Sequence, residues 1–435
     1  MKKTTLSTLA AALLTALLAG CGTTGAVRDA SGTPCNTTTD EKAPLPLLYS
    51  ARAGDTNNLR CLLEGGVAIN AADSDGWNAL MFAAAKGNTD AARFLLDRGA
   101  NLHATENKGW TALMLAAQDG SADTVRLLLD QGAKVDAVTV NNITPLMIAA
   151  GHGHADATRQ LLDKGASVSA TDKRGWTPLM FAAQKGHTDI ARLLISKGAK
   201  VGVTEEDRWT PLMIAAQNGY TDTVRLLLEK GAKVGAATKT GATALTIAAG
   251  NGHADTSRPL LGKGAKVNAA DEDGWTPLIF AATNGHTDTV RLLLDKGASL
   301  TSADVKGWMP LMFAANKGHT DTDRLLIERG ASVNATEKRR WTPLMLAAQN
   351  GHTTTARLLL DKGASINMQE ENGVTALMIA AGKGHADTVR LLIERGANLN
   401  TTISKGKLAG STAQDIAQAK GHTNIVNMLR AAGAK

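Results

Sequence analysis

The sequence predicts an all-α solenoid, a stack of helix–turn–helix repeats joined by short turns. A 33-residue motif recurs without insertion in ten repeats that cover residues 76–405. Every repeat keeps Leu at its fifth position, Ala-Ala at its eighth and ninth, and Gly at its twelfth. The 435 residues include only 7 Trp, 2 Tyr and 5 Phe, which favours helices that pack through small side chains. The repeats begin at Gly76, Gly109, Asn142, Gly175, Arg208, Gly241, Gly274, Gly307, Arg340 and Gly373.

The first 20 residues are predicted to be a signal peptide. Lys2 and Lys3 form a basic start, and the apolar stretch that follows is too short to span a bilayer as a mature helix. The stretch ends in "LLAGC" and resembles a bacterial lipoprotein signal, which implies cleavage before Cys21 and a lipid on that residue. Gly22 after the Cys implies the outer membrane. The alternative is an ordinary signal peptide that is cut elsewhere, with Cys21 incidental.

Residues 21–42 are Thr-, Gly- and Asp-rich without helical periodicity, which predicts a flexible tether. Residues 43–75 form a divergent repeat that is expected to cap the N-terminal end of the stack. Export would permit a disulfide between Cys35 and Cys61. Alternatively, Cys61 is a small core residue, since later repeats carry Leu at its position.

The first helix of a repeat is delimited by local signals, as the repeat that begins at Gly175 illustrates. Thr177 and Pro178 predict the helix start, because Pro is tolerated in the first turn. Ala182 and Ala183 form a narrow apolar face that allows close helix packing. Gly186 predicts the helix end.

The second helix of the same repeat carries a different set of signals. Thr188 is placed to cap it, and Asp189 lies in its first turn at the positive end of the dipole. Leu193 and Leu194 are expected to face the core, and Gly198 ends the helix. One repeat cannot bury its apolar face alone, so stability must come from stacking. The terminal repeat, residues 406–435, is expected to be a cap, because Arg430 stands where inner repeats have Leu.

The repeat resembles the ankyrin repeat, whose signature is T-P-L-H-x-A at a 33-residue period. The segment "GWTPLMFAA" from Gly175 carries the signature with Met180 in place of the His, and the resemblance covers about 390 residues. It implies about 12 repeats including two caps, with short β-turn fingers. It also implies that the second position of each repeat lies at a turn on the concave side, where partners often bind.

Two rows of side chains raise the question of a metal site. Eight His recur at one position, for which the resemblance implies hydrogen bonding within the loops rather than metal binding. Eight Met stand where the family usually has His, and a Met row could bind Cu(I), although such rows are usually core. We therefore expect no metal and no cofactor. The Met residues are Met81, Met114, Met147, Met180, Met213, Met312, Met345 and Met378, and the His residues are His154, His187, His253, His286, His319, His352, His385 and His422.

All Trp residues of the chain occupy the second position of a repeat. They are Trp77, Trp110, Trp176, Trp209, Trp275, Trp308 and Trp341. Several exposed Trp in a row would exceed the apolar patch that soluble monomers usually show, and Trp is common at binding hot spots. The seven Trp are therefore predicted to bind a partner. The alternative is that each ring folds onto its own or a neighbouring turn as a structural staple.

The predicted function is non-catalytic binding of a protein on a concave Trp-lined face, by a monomer that a lipid anchors in the bacterial cell envelope. The expected location is the outer membrane, facing the periplasm. The alternative is a carbohydrate- or peptidoglycan-binding module that uses the same Trp row. No nucleophile triad, phosphate loop or carboxylate pair stands outside the repeat pattern, so we expect no enzyme activity. Nucleic acid is not an expected partner, because Arg–Asp pairs on helix surfaces account for the positive charge.

Two departures from the repeat pattern predict local strain. Pro259 lies inside a second helix, where Pro costs roughly 3 kcal/mol, so the repeat from Gly241 to Asp273 is predicted to be the least stable inner repeat. Arg208 and Arg340 replace the Gly that usually opens a repeat, and each would cost about 1 kcal/mol if that position has a positive φ.

Overall fold

The computed structural model describes residues 27–36 and 45–434, of which Leu45 is described by its backbone alone. The chain forms two compact parts, an N-terminal part up to Asp172 and a C-terminal part from Lys173 onward. The predicted signal peptide and Cys21 lie outside the described residues. None of the described helices is long and apolar enough to cross a bilayer.

The described residues form 24 α-helices and no strand, which confirms the all-α prediction. The helices of the N-terminal part are α1 (Leu45–Ala53), α2 (Thr56–Glu64), α3 (Ala79–Ala84), α4 (Thr89–Asp97), α5 (Ala112–Asp119), α6 (Ala122–Asp130), α7 (Pro145–His152) and α8 (Ala155–Asp163). Those of the C-terminal part are α9 (Pro178–Lys185), α10 (Thr188–Ser196), α11 (Pro211–Gln217), α12 (Thr221–Glu229), α13 (Ala244–Gly250), α14 (Ala254–Gly262), α15 (Pro277–Thr283), α16 (Thr287–Asp295), α17 (Pro310–Lys317), α18 (Thr320–Glu328), α19 (Pro343–Gln349), α20 (Thr353–Asp361), α21 (Ala376–Lys383), α22 (Ala386–Glu394), α23 (Ala413–Ala419) and α24 (Thr423–Ala431). Odd-numbered helices are the first helices of their repeats, and even-numbered helices are the second.

The first helices begin and end as the sequence predicts. In α9, the Thr177 hydroxyl accepts a hydrogen bond from the backbone N–H of Met180, and Pro178 occupies the first turn. Gly186 closes the helix in the left-handed conformation, with φ of 74°. The cap is lost once in the C-terminal part, at α17, where Met309 takes the place of Thr and offers no hydroxyl.

The second helices begin differently from the prediction. His187, not Thr188, is the N-cap of α10, and it makes no side-chain cap hydrogen bond. The prediction that Thr188 caps this helix is therefore wrong. Thr188 lies in the first turn, and its hydroxyl shares a hydrogen bond of 2.7 Å with the hydroxyl of Thr223 in the next repeat. The same Thr–Thr bond recurs between other repeats, so this position ties neighbouring second helices together.

The core consists of the residues that the repeat keeps constant. Leu179, Met180, Ala182 and Ala183 of α9 are fully buried. The eight Met of the row are at most 2% exposed, so they are core residues, as expected for a row of this kind. Small Ala side chains let each first helix approach the next one closely.

Residues at the first position of a repeat have a positive φ even where they are not Gly. Arg208 and Arg340 both have φ of 65°, which confirms the positive φ on which the predicted strain depends, and Asn142 has 59°. Lack of space also favours Gly at this position, because a Cβ on Gly241 would lie 3.0 Å from the Cα of Asp271, in the turn that ends the same repeat.

The N-terminal end is closed by a disulfide. Cys35 and Cys61 are bonded, with their Cα atoms 5.5 Å apart, so the first of the two alternatives for these residues is confirmed. Asn58 of α2 strengthens the attachment, because its side chain accepts from the N–H of Asn36 (3.0 Å) and donates to its carbonyl (3.2 Å). Residues 27–36, within the segment predicted to be a tether, are thus held against the first repeat. At the other end, Arg430 of α24 is exposed, in agreement with a cap.

Candidate functional site

Each Trp stands at the end of a tight four-residue turn, here called a finger. In residues 205–208, the Glu205 carboxylate accepts hydrogen bonds from the backbone N–H groups of Asp207 and Trp209, both at 2.9 Å. The N–H of Glu205 donates in return to the carbonyl of Trp209 (3.2 Å). Asp271, Asp304 and Glu337 hold their fingers in the same way. The Trp backbone is therefore fixed at both its N–H and its carbonyl.

Neighbouring fingers are also joined to one another. In the C-terminal part, Lys239 donates its N–H to the carbonyl of Asp207 (3.1 Å), and Glu272 donates to that of Thr240 (3.1 Å). In the N-terminal part, Val140 donates to Lys108 (2.9 Å). These bonds fix each finger, and with it the second position of each repeat, relative to the next.

All seven Trp side chains are half-buried, so none is either fully enclosed or fully exposed. The residue before a helix N-cap often packs on the fourth helical residue, an arrangement called a hydrophobic staple. Trp176 lies before the N-cap Thr177, and its ring centroid is 5.6 Å from that of Phe181. The same contact joins Trp77 to Phe82 at 5.2 Å. The staple predicted as the alternative therefore exists in these repeats, and each ring still leaves part of its surface accessible.

Two repeats of the C-terminal part form a continuous aromatic cluster, which the sequence analysis missed. Trp275 packs on Phe280 of its own repeat (5.0 Å) and on Phe313 of the next repeat (4.7 Å). Trp308 packs on Phe313 from the other side (5.2 Å). Phe313 is consequently only 8% exposed, whereas Phe280 remains half-buried. Four of the five Phe lie five residues after a Trp, a spacing that could have revealed the cluster.

One Trp is further covered by a cation. The guanidinium of Arg174 lies 4.7 Å from the ring centroid of Trp176, within the range of a cation–π contact. Part of the face of Trp176 is therefore covered by a charged side chain.

The His row forms hydrogen bonds, as the resemblance implied, but these bonds join neighbouring repeats and do not stay within one loop. The Nε2 atom of His154 lies 2.9 Å from the carbonyl of Gln118, and that of His253 lies 3.1 Å from the carbonyl of Gln217, near the end of the first helix of the preceding repeat. Burial lowers the pKa of His286; its bond to Gly250 opposes this shift. Among the described residues, no three His, Cys, Asp or Glu side chains are grouped so that they could hold a metal ion.

Ion pairs on the second helices follow the predicted spacing. Arg225 pairs with Asp222 at 3.0 Å and Arg390 with Asp387 at 3.1 Å, and all four side chains are more than half exposed. Such pairs contribute at most a few tenths of a kcal/mol. A second set joins neighbouring repeats at their helix ends, such as Arg329 with Asp295 at 2.7 Å; the sequence analysis did not anticipate it.

Comparison with known proteins gives one family. The model of the family described as "Ankyrin repeats (3 copies)" matches six overlapping segments, residues 12–106, 100–172, 167–238, 234–304, 298–370 and 363–435. No curated protein matches the chain. Among solved structures, the chain is similar to the human ASB11 ankyrin repeat domain, with 30% sequence identity and a TM-score of 0.48 over 51% of this chain and 99% of that domain.

Proposed function

Because the chain belongs to the ankyrin-repeat family, whose members generally act as protein-binding scaffolds, we propose that it is a non-catalytic scaffold that binds a protein partner through its Trp-bearing faces. The observation that carries this proposal is the state of the seven Trp, which are half-buried at one position of successive repeats. Each ring is thus fixed by its own repeat and still presents surface to a partner.

Rigidity makes these rings suitable anchors. The finger holds the Trp backbone at two points, and where Phe181 or Phe280 lies beneath, the ring also rests on a second aromatic side chain. A ring that is already ordered loses little conformational entropy when a partner covers it. Trp and Tyr anchors of this kind dominate binding energy at many interfaces.

The proposal includes attachment to the bacterial cell envelope through a lipid on Cys21. Its support is the lipoprotein-like segment "LLAGC" and the disulfide between Cys35 and Cys61, since structural disulfides are rare in reducing compartments. On this proposal, the repeats face the periplasm from the outer membrane, and the lipid is their sole membrane attachment.

The proposal is tested with Trp176→Ile and Trp209→Ile in a soluble chain that begins at Gly22. Ile143 occupies the same position in its own repeat, so Ile keeps an aliphatic staple and removes only the ring. We expect capture of proteins from an envelope extract to fall at least tenfold, because two hot-spot rings are lost. The thermal midpoint should stay within a few degrees of that of the parent chain.

The matched control is Val374→Ile, which makes an aliphatic change at the same position where no ring is lost. Unchanged capture by the double variant would contradict the proposal and leave the Trp as staples only. Retention of the chain on purified peptidoglycan, lost in the double variant, would instead establish the carbohydrate-binding alternative.

A further inference from the structure

The repeat that begins at Gly241 interrupts the Trp series of the C-terminal part. Its second position is Ala242, between Trp209 one repeat earlier and Trp275 one repeat later. Ala242 is half-buried and precedes the helix N-cap Thr243, as Trp275 precedes Thr276. The backbone is therefore the same as in Trp-bearing repeats, and only the ring is missing.

The missing ring leaves Phe280 uncovered on one side. Phe313 is covered by the Trp of its own repeat and by the Trp of the preceding repeat, at 5.2 and 4.7 Å. In the described part of the chain, a single Trp ring, that of Trp275, packs on Phe280. This difference explains why Phe280 is half-buried while Phe313 is only 8% exposed.

A second small residue lies close to Phe280. At the tenth position of this repeat stands Gly250, where the two following repeats carry Thr283 and Asn316. A Cβ placed on Gly250 would lie 3.5 Å from the Cβ and Cδ1 atoms of Phe280, so the Phe ring borders the space above this glycine. We call the surface formed by Ala242, Ile247, Gly250 and Phe280, all of them half-buried, the Ala242 notch, because it lacks the Trp ring that other repeats carry.

The fingers around the Ala242 notch are acidic. Residues 205–208, 238–241 and 271–274 together contain six carboxylates, Arg208 and Lys239, whereas the whole chain has a net charge of +7. Lys239 pairs with Asp207 at 3.3 Å. Glu206, Glu272 and Asp273 are exposed and form no ion pair with another described residue. The apolar Ala242 notch thus lies between fingers that carry unpaired negative charges.

We propose that the Ala242 notch receives a Leu, Phe or Trp side chain from a basic segment of the protein partner, with Lys or Arg residues on either side of it. The inserted side chain packs on Phe280 in the place that a Trp at position 242 would occupy. The flanking cations lie beside Glu206 on one side and beside Glu272 and Asp273 on the other. This inference rests on the proposed function, and it assigns both the location and the chemistry of one anchor.

The apolar part of the proposal is tested by Ala242→Trp. This variant places in the Ala242 notch the residue that seven other repeats carry at the same position. The probe is a fluorescein-labelled peptide of about 12 residues with a central Trp between Lys residues. When extended it is about 40 Å long, which is enough to reach the fingers on both sides of the Ala242 notch. Fluorescence anisotropy should show at least tenfold weaker binding to this variant than to the parent chain. Val374→Trp is the matched control, because it adds a Trp at the same position elsewhere, and it should bind within twofold of the parent chain.

The charged part is tested by the triple variant Glu206→Gln, Glu272→Gln and Asp273→Asn, with Glu371→Gln as the control at the position equivalent to Glu272. The triple variant should lose at least tenfold in affinity, and the affinity of the parent chain should fall as salt is raised. A peptide with Glu in place of Lys, or with Ser in place of the central Trp, should bind at least tenfold more weakly.

Three results would overturn the inference: no binding of the Lys-flanked peptide, equal binding of the Glu-flanked peptide, or undiminished binding to Ala242→Trp. Capture of proteins from an envelope extract shows whether only the inference about the Ala242 notch fails or the proposed function fails as well. If Ala242→Trp still captures a protein that the Trp176 and Trp209 variant loses, the proposed function stands and the Ala242 notch is not its anchor. If the parent chain captures none, the proposed function fails.

Discussion

Asp323 of α18 is a carboxylic acid in a core position. The equivalent residues of neighbouring repeats are Val290 and Ala356, which need no hydrogen-bond partner. Asp323 is 0% exposed, and one of its oxygens accepts a hydrogen bond from the Thr355 hydroxyl at 3.3 Å. Its other oxygen has no partner among the described residues. Burial without a cation raises the pKa of Asp323 to about 8.

Replacing Asp323 by Val should stabilise the chain, and more so at alkaline pH. The folded-state pKa of about 8 lies above the unfolded value of 3.8, so the folded state holds a proton that the unfolded state releases. Stability therefore falls as pH rises from about 4 to about 8 and changes little beyond that. The gain in unfolding free energy from Asp323→Val should therefore be about 4 kcal/mol larger at pH 9 than at pH 5.

The gain is measured by urea unfolding at the two pH values, together with hydrogen exchange of the repeat formed by α17 and α18. Asp321→Asn is the control, because Asp321 is an exposed carboxylate on the same helix. An equal gain at both pH values would show that Asp323 is ionised in the folded state. A loss of stability would show that its bond to Thr355 outweighs the burial of the acid.

At the scale of elements, α14 combines a regular shape with an unfavourable sequence. It spans Ala254–Gly262, the same length as its neighbours α12 and α16, although Pro259 lies inside it. Pro removes a backbone donor and disfavours the preceding helical turn. The helix is therefore maintained by its packing between neighbouring repeats rather than by its own propensity.

Pro259→Leu should stabilise this repeat by up to about 3 kcal/mol, since Leu occupies the same position in α12 and α16. In the parent chain, amide hydrogen exchange should be faster in α13 and α14 than in the repeats on either side, and the variant should remove the difference. Exchange of α14 as slow as that of α12 in the parent chain would refute the predicted weakness.

At the scale of the whole molecule, stability depends on neighbours, because each repeat packs only on those next to it. The ends of such a chain lack one neighbour. The segment at residues 27–36 covers part of the N-terminal end and is bonded to α2 through Cys35 and Cys61. The disulfide thus stabilises the first repeat, as packing against a neighbouring repeat stabilises the inner ones.

The double variant Cys35→Ser and Cys61→Ser should destabilise the N-terminal end by about 3 kcal/mol. The reason is that the unfolded chain regains the conformational entropy that the disulfide removes by joining residues 26 positions apart. The loss should appear as faster hydrogen exchange in α1 and α2, with α21 and α22 unchanged. Reduction of the parent chain with dithiothreitol should reproduce the effect, and no response to reductant would contradict this role.

The sequence by itself determined the architecture, because the 33-residue period and the Gly at the twelfth position recur in all ten repeats, and five of these repeats also carry the Thr-Pro helix start. It also located the seven Trp and the strained Arg208 and Arg340.

Tertiary structure decided how those signals are used. The Thr188 hydroxyl bonds to Thr223 across a repeat boundary instead of capping its own helix, because both side chains meet where two second helices adjoin. The Trp rings are half-buried because Phe side chains five residues later lie beneath several of them, and Phe280 is left open because residue 242 is Ala. Contacts between repeats depend on pairs of positions about one period apart, so the pattern within a single repeat cannot reveal them.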